Sequence, residues 1–303
     1  MDPDPTPATI AAAPASPAAA SPVPAAPAPA MPSFMTAAAR VFDLSVGQML
    51  WSRRTVFLAL VVGSPVLLAI LLRVIEAAGL GALRVGGART LPGATVFGLF
   101  IWILYLRFIV PVLGVFYGTS LIADEVDDKT ITYLFTRPIE RGAVLVGKYL
   151  AYLIVTALVV LPSVMIVYFL LVPLGGSALA ETFPALVKDL ALLGLGLAVY
   201  GALFAWIGAQ IKHPLVIGLV FALGWEQAIL VVPGYLRRFT VAYYLQGLVP
   251  HAMPQDSALS MLQSVFRDSP SLVVCLTWLL VFLVGFLYLA ARAVSKREYV
   301  LEQ

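Results

Sequence analysis

Apolar positions along this chain come in long unbroken runs rather than in narrow stripes. Runs at 56–75, 95–117, 149–172, 186–208, 215–232 and 272–291 are almost free of charge. About 20 apolar residues cross the hydrocarbon core of a bilayer as a helix, so six membrane spans are expected. Residues 33–54 read differently. Phe34, Ala38, Val41, Phe42, Met49 and Leu50 recur near the helical period, while Asp43, Gln48, Arg53 and Arg54 occupy other faces. That pattern predicts an interfacial helix leading into the first span. Residues 1–32 contain ten Pro, twelve Ala and, as charges, only Asp2 and Asp4. Such a composition neither holds a helix nor buries a core, and a disordered tail is expected there. The fold class is all-α, with residues 33–303 forming one six-span membrane domain.

Composition agrees with a bilayer as the solvent. The chain is 61% hydrophobic and 12% charged, with a mean hydropathy of +0.97, whereas about a quarter of the residues in a soluble domain are charged. An even number of spans puts both termini on one side. On that side fall Arg40, Arg53, Arg54, Lys129, Arg137, Arg141, Lys148, Lys212, Arg292, Lys296 and Arg297. The other side has only Arg73, Arg84, Arg89, Lys188, Arg237, Arg238 and Arg267. The excess of Lys and Arg marks the cytoplasmic face, so both termini are expected inside a bacterial cytoplasmic membrane. The net charge of +3 expresses this bias. No basic groove interleaved with aromatics is present to suggest nucleic acid. The single Cys275 excludes an intrachain disulfide and a Cys-based metal site.

Gly142-x-x-x-x-Gly147-Lys148 is one residue short of a phosphate-cradling loop. Tyr149 occupies the place of the Mg²⁺-binding hydroxyl, and no strand-like segment precedes Gly142. ATP binding by this chain is therefore not expected, and neither a catalytic site nor a cofactor is assigned. No HExxH or GxSxG motif occurs, and His213 and His251 fall on opposite sides of the membrane, which argues against an intramembrane enzyme. His251, Met253 and Met261 in an outer loop could offer soft ligands, but without repeat or Cys they are read as interfacial packing. Tyr243, Tyr244 and Leu245 nearby suggest a helix at the outer interface.

The longest inner connection carries the strongest signal. Asp124, Glu125, Asp127 and Asp128 crowd one helical turn and repel one another unless water or a basic surface compensates. Ile122, Val126 and Leu134 could form an apolar stripe. Pro138 disfavours helix at Arg137, so a break is expected there. The order Glu125, Thr130, Leu134, Arg137-Pro138, Arg141 and Gly147-Lys148 resembles the pattern after the second span of ABC exporter permeases of the second class. Lys129 stands where that family often has Gly. The likeness extends over residues 33 to 300 and includes permeases grouped with copper-enzyme maturation and gliding motility. It implies a cytoplasmic coupling helix over Asp124–Leu134, with Arg137, Pro138 and Arg141 following it. It also implies a separate ABC ATPase dimer that binds ATP and Mg, and a second copy of the permease. A periplasmic partner at the 233–271 loop is a further expectation.

Two charges lie deep in the spans. Arg107 in the second and Glu226 in the fifth come out at similar depths near the bilayer centre. A charge there should be paired or face water, so these two are expected to pair beside a translocation path. The resemblance adds that the second and fifth spans line that path. Pro65, Pro111 and Pro162 sit within spans and each frees a carbonyl. Gly194-Ala198-Ala202 and Gly201-Ala205-Ala209 have the small-residue spacing of close helix packing. An ATP-driven exporter permease accounts for these features together. A gradient-driven secondary transporter would be expected to show internal repeats and more polar groups at the midplane, and a structural membrane subunit would not explain the ordered motif.

Overall fold

The computed structural model describes residues 33–51, 53–80, 84–85, 89–127, 141–231, 235–249 and 270–296. Its helices are α1 (Phe34–Leu50), α2 (Arg53–Ala77), α3 (Gly93–Ala123), α4 (Arg141–Leu171), α5 (Leu179–Gln210), α6 (Pro214–Leu230), α7 (Val241–Gly247) and α8 (Leu272–Lys296). A two-residue antiparallel ladder, β1 (Arg84–Val85) with β2 (Arg89–Thr90), lies between α2 and α3. The tail at 1–32 lies outside the described residues.

Five helices, α2, α3, α4, α5 and α8, are long and apolar enough to cross a membrane. The run expected as the fifth span forms α6, which is shorter. Its 17 residues reach about 25 Å at 1.5 Å per residue, less than the ~30 Å apolar core. Several bounds move outward from the sequence reading, two helix starts the most. The helix expected from residue 149 begins at Arg141, and that expected from 186 begins at Leu179. Both extensions add polar or small residues that a hydropathy reading leaves in loops.

The stretch resembling a phosphate loop is therefore helical. Gly142 and Lys148 belong to α4, and the Tyr149 hydroxyl donates to Ala198 O on α5 at 2.7 Å. Gly147 serves packing. A Cβ there would stand 2.6 Å from Ala38 O and 3.0 Å from Val41 Cβ on α1, so its missing side chain lets α1 lie against α4. The amphipathic segment before the first span is a helix as expected, Ser33 caps it by accepting from Thr36 N, and Ala37, Ala38 and Ser45 are buried.

The middle of the bundle is α3 and α5, whose apolar 18-residue stretches are 72% and 67% buried, against 28% for α2 and 11% for α8. Glycines let these two helices meet. A Cβ on Gly114 would reach Tyr200 Cβ at 2.9 Å, and one on Gly208 would stand 2.3 Å from Thr119 O. Gly201 accommodates the Tyr152 ring, whose hydroxyl donates to Leu197 O at 2.9 Å. Of the small-residue pattern on α5, Gly201 is thus a packing contact within the chain, whereas Gly194 faces open space. On the outside of α5 and α7, α8 is held by a row of rings. Trp278 and Phe282 pack on Tyr244, and Phe286 stacks on Trp206.

Hydroxyls beside two of the prolines inside the spans bond backbone carbonyls of α2. Pro65 cannot donate to Val61 O, four residues before it, and Ser64 Oγ donates there at 2.8 Å. Ser163 Oγ, next to Pro162, donates to Val62 O on α2 at 3.0 Å and exchanges a 2.7 Å bond with the Tyr105 hydroxyl of α3. Three helices are tied by those two hydroxyls. At the end of α4, Arg73 Nη1 donates to Leu170 O at 2.8 Å, a cation on the carbonyl end of a helix.

The glycine contacts give a paired prediction. Gly208→Ala forces the new methyl against the Thr119 backbone and should destabilise the detergent-solubilised protein by about 1–3 kcal/mol. Gly194→Ala has room and should leave the thermal midpoint within error or raise it, as read by intrinsic fluorescence.

Candidate functional site

The site expected around Arg107 and Glu226 begins with irregular helices. In α3 the turns Phe100–Ile109 and Gly114–Gly118 are π-helical, and in α6 so are Val220–Trp225. Val110 N–H pairs with Tyr105 O and Glu226 N–H with Phe221 O, each five residues back. Wider turns of this kind are rare and change which way later side chains face.

Arg107 lies fourteen residues from one end of α3 and sixteen from the other, and it is half-buried. Its guanidinium lies 5.4 Å from the Trp102 ring centroid. Arg107 Nε donates to Gln227 Oε1 at 2.8 Å, and Gln227 Nε2 donates to Arg107 O at 3.2 Å. The second bond has a specific cause. In α-helical register Arg107 O would pair with the N–H of residue 111, and that residue is Pro111. One amide thus holds both the side chain and the released carbonyl of Arg107.

Glu226 turns the other way and is fully buried. Its Oε2 accepts from the Tyr200 hydroxyl on α5 at 2.7 Å, and its Oε1 accepts from Ala242 N at 2.9 Å. Ala242 is in the first turn of α7, whose N-cap Thr240 makes no side-chain cap bond. The carboxylate supplies that cap from another helix, where its negative charge also suits the helix dipole.

The expected Arg107–Glu226 ion pair is therefore corrected. The two positions do lie at one level, but among the described residues Arg107 is bonded to Gln227 and Glu226 to α5 and α7. Neighbouring residues of an α-helix point about 100° apart, enough to send 226 and 227 to different partners. Sequence reasoning missed Gln227, Tyr200 and the buried Asp189 of α5. A readable signal existed for the first: Pro111 follows Arg107 by four residues, and a polar Gln stands beside Glu226 in an apolar run.

The acidic segment is described only in part. Asp124, Glu125 and Asp127 lie in the helical turns Ser120–Asp127 that continue α3. Asp128, Thr130, Leu134, Arg137 and Pro138 lie outside the described residues, and Arg141 opens α4. His251, Met253 and Met261 also lie outside them. Tyr243, Tyr244 and Leu245 are helical as expected, in α7, but Tyr244 and Leu245 are buried within the bundle. Among the described residues no three His, Cys, Asp or Glu side chains gather as a metal site.

A family model described as ABC-2 family transporter protein matches residues 15–298. The chain belongs to the ABC-2 transporter family. It is a multi-pass membrane permease component of that transporter class, and the match includes every described helix. No curated protein matches the chain. In this ABC-2 permease Arg107 and Gln227, and Tyr200 and Glu226, are bonded where α3, α5 and α6 meet the N-terminus of α7.

Removing the cap should loosen α7 specifically. Glu226→Ala orphans Tyr200 Oη and Ala242 N, at a cost of about 1–3 kcal/mol for each buried group left unpaired. Amide exchange across Val241–Gly247 should rise in that variant and stay at the wild-type level in Gln227→Leu, which touches Arg107 rather than α7. Equal exchange in Glu226→Ala and wild type would remove the capping role.

Proposed function

We propose that this chain is the membrane-spanning permease of an ATP-driven exporter, working as two permease copies with two separate ABC ATPase subunits that bind ATP and Mg. The carrying observation is the family match over residues 15–298, which spans the whole helical bundle. The helical state of Gly142–Lys148 supports placing ATP on a partner, because the stretch nearest a phosphate loop is the packing face for α1.

In this reading α6 completes a sixth crossing despite its length, with α7 folded back beside it, and the even count leaves both termini in the cytoplasm. The acidic turn at Asp124, Glu125, Asp127 and Asp128, with Thr130, Leu134, Arg137, Pro138 and Arg141 after it, docks the ATPase. That turn continues α3 directly, so movement of the docking segment reaches Arg107 along one helix. Arg107, and Glu226 beside it in sequence to Gln227, border the translocation path. The 233–271 segment faces the periplasm and is open to an accessory partner there.

Charge reversal tests the coupling. Replacing Asp124, Glu125, Asp127 and Asp128 by Lys should abolish co-purification of the ATPase in mild detergent while the thermal midpoint of the permease changes little, since Asp124, Glu125 and Asp127 follow the apolar part of α3. Full ATPase yield with the reversed charges would place docking elsewhere. A photo-crosslinkable ATP analogue should label the co-purified ATPase and leave residues 142–149 of the permease unlabelled.

A further inference from the structure

We infer that Arg107 is the counter-ion site for the anionic head group, carboxylate or phosphate, of an amphipathic ligand lying between α3 and α6. The inference rests on reading these helices as the border of the translocation path. Arg is charged at any pH a cell reaches, and a charge near mid-depth needs a partner or water. Among the described residues, no Asp or Glu pairs with Arg107. The carboxylate adjacent in sequence to Gln227, that of Glu226, is already shared between Tyr200 and Ala242 N.

What the protein does supply is neutral and positions the cation. Gln227 Oε1 engages Nε alone, and Trp102 offers its ring 5.4 Å away. Among the described residues neither terminal amino group of the guanidinium is hydrogen-bonded, and these are the pair that grips a carboxylate or phosphate through two parallel bonds. Gln227 is itself fixed by its bond to Arg107 O, the carbonyl that Pro111 releases. A cation held by a neutral amide against a ring, and half open, is arranged for an incoming anion rather than neutralised in place.

The surroundings give the rest of the ligand. Ile103 stands one turn from Arg107 on α3, and Leu223 one turn from Gln227 on α6. Both are exposed, at 44% and 41%, and Phe108 and Trp225 flank them at 43% and 58%. An anion with no apolar part would have to shed its hydration against these side chains, at a cost an alkyl chain does not incur. A ligand carrying one oxyanion and an apolar body matches both features.

Native mass spectrometry of the purified permease with three probes tests this. Oleate carries head group and chain, oleyl alcohol the chain without charge, and acetate the charge without chain. Wild type should retain oleate at concentrations where the other two are lost. Arg107→Gln should weaken oleate retention at least tenfold, and Arg107→Lys, which keeps the cation, should lose less. Gln227→Leu frees the guanidinium to reorient and should fall between them, which keeps the test usable if Arg107→Gln does not fold. Equal oleate retention by wild type and Arg107→Gln overturns the inference, as does retention of oleyl alcohol or acetate as strong as that of oleate. ATPase co-purification is a separate readout, so a failed probe experiment leaves the permease reading standing, and loss of that reading leaves the oleate result intact.

Discussion

A backbone carbonyl released inside an apolar bundle must find a donor, because no water is at hand to supply one. Much of this structure follows from that constraint. Val61 O, orphaned by Pro65, is met by Ser64, and Arg107 O, which loses its α-register partner to Pro111, is met by Gln227. Val62 O, next to the orphaned Val61 O, takes the hydroxyl of Ser163 as an added bond. The donors come from the same turn or from a neighbouring helix, and a bond from a neighbouring helix also fixes how two helices are set against each other. The site around Arg107 is thus built on the solution to a proline.

Glycine supplies the other half of the architecture. Interhelical attraction in lipid gains little from hiding apolar surface, so contact must come from close packing. Gly114, Gly201 and Gly208 bring α3, α4 and α5 to distances that a single methyl would forbid. With α3 and α5 so fixed, Tyr200 meets Glu226 and the N-terminus of α7 is pinned in turn. The order of dependence runs from small residues to helix spacing, and from spacing to the polar contacts at mid-depth.

Five of the spans were legible from hydropathy alone, because their length and apolar content leave no soluble alternative. Their ends were not: α4 begins at Arg141 and α5 at Leu179, where polar and charged residues continue a helix that composition alone would end. The depth of the polar site was legible too, since rise per residue is nearly constant. Its direction was not. A depth estimate fixes where along the axis a side chain sits, whereas the π turns at Phe100–Ile109 and Val220–Trp225 shift the angular phase. Thus Gln227, rather than Glu226, meets Arg107. The acidic motif was legible as a resemblance, and its chemistry at Asp128 through Pro138 lies outside the described residues.

Ring contacts and hydrogen bonds resist displacement differently. The Tyr105–Ser163–Val62 linkage weakens steeply once an O···O distance grows or an angle opens. Ring pairs accept centroid separations of about 4.5–7 Å in offset-stacked or edge-on arrangements, a wider window than a hydrogen bond allows. The row from Tyr244 through Trp278, Phe282 and Phe286 to Trp206 is therefore the less angle-dependent of the two kinds of joint. On that side α8 is held to α5 and α7 by ring contacts, whereas α2, α3 and α4 are tied by directional hydroxyl bonds, so the two walls of the bundle are held by forces of different angular tolerance.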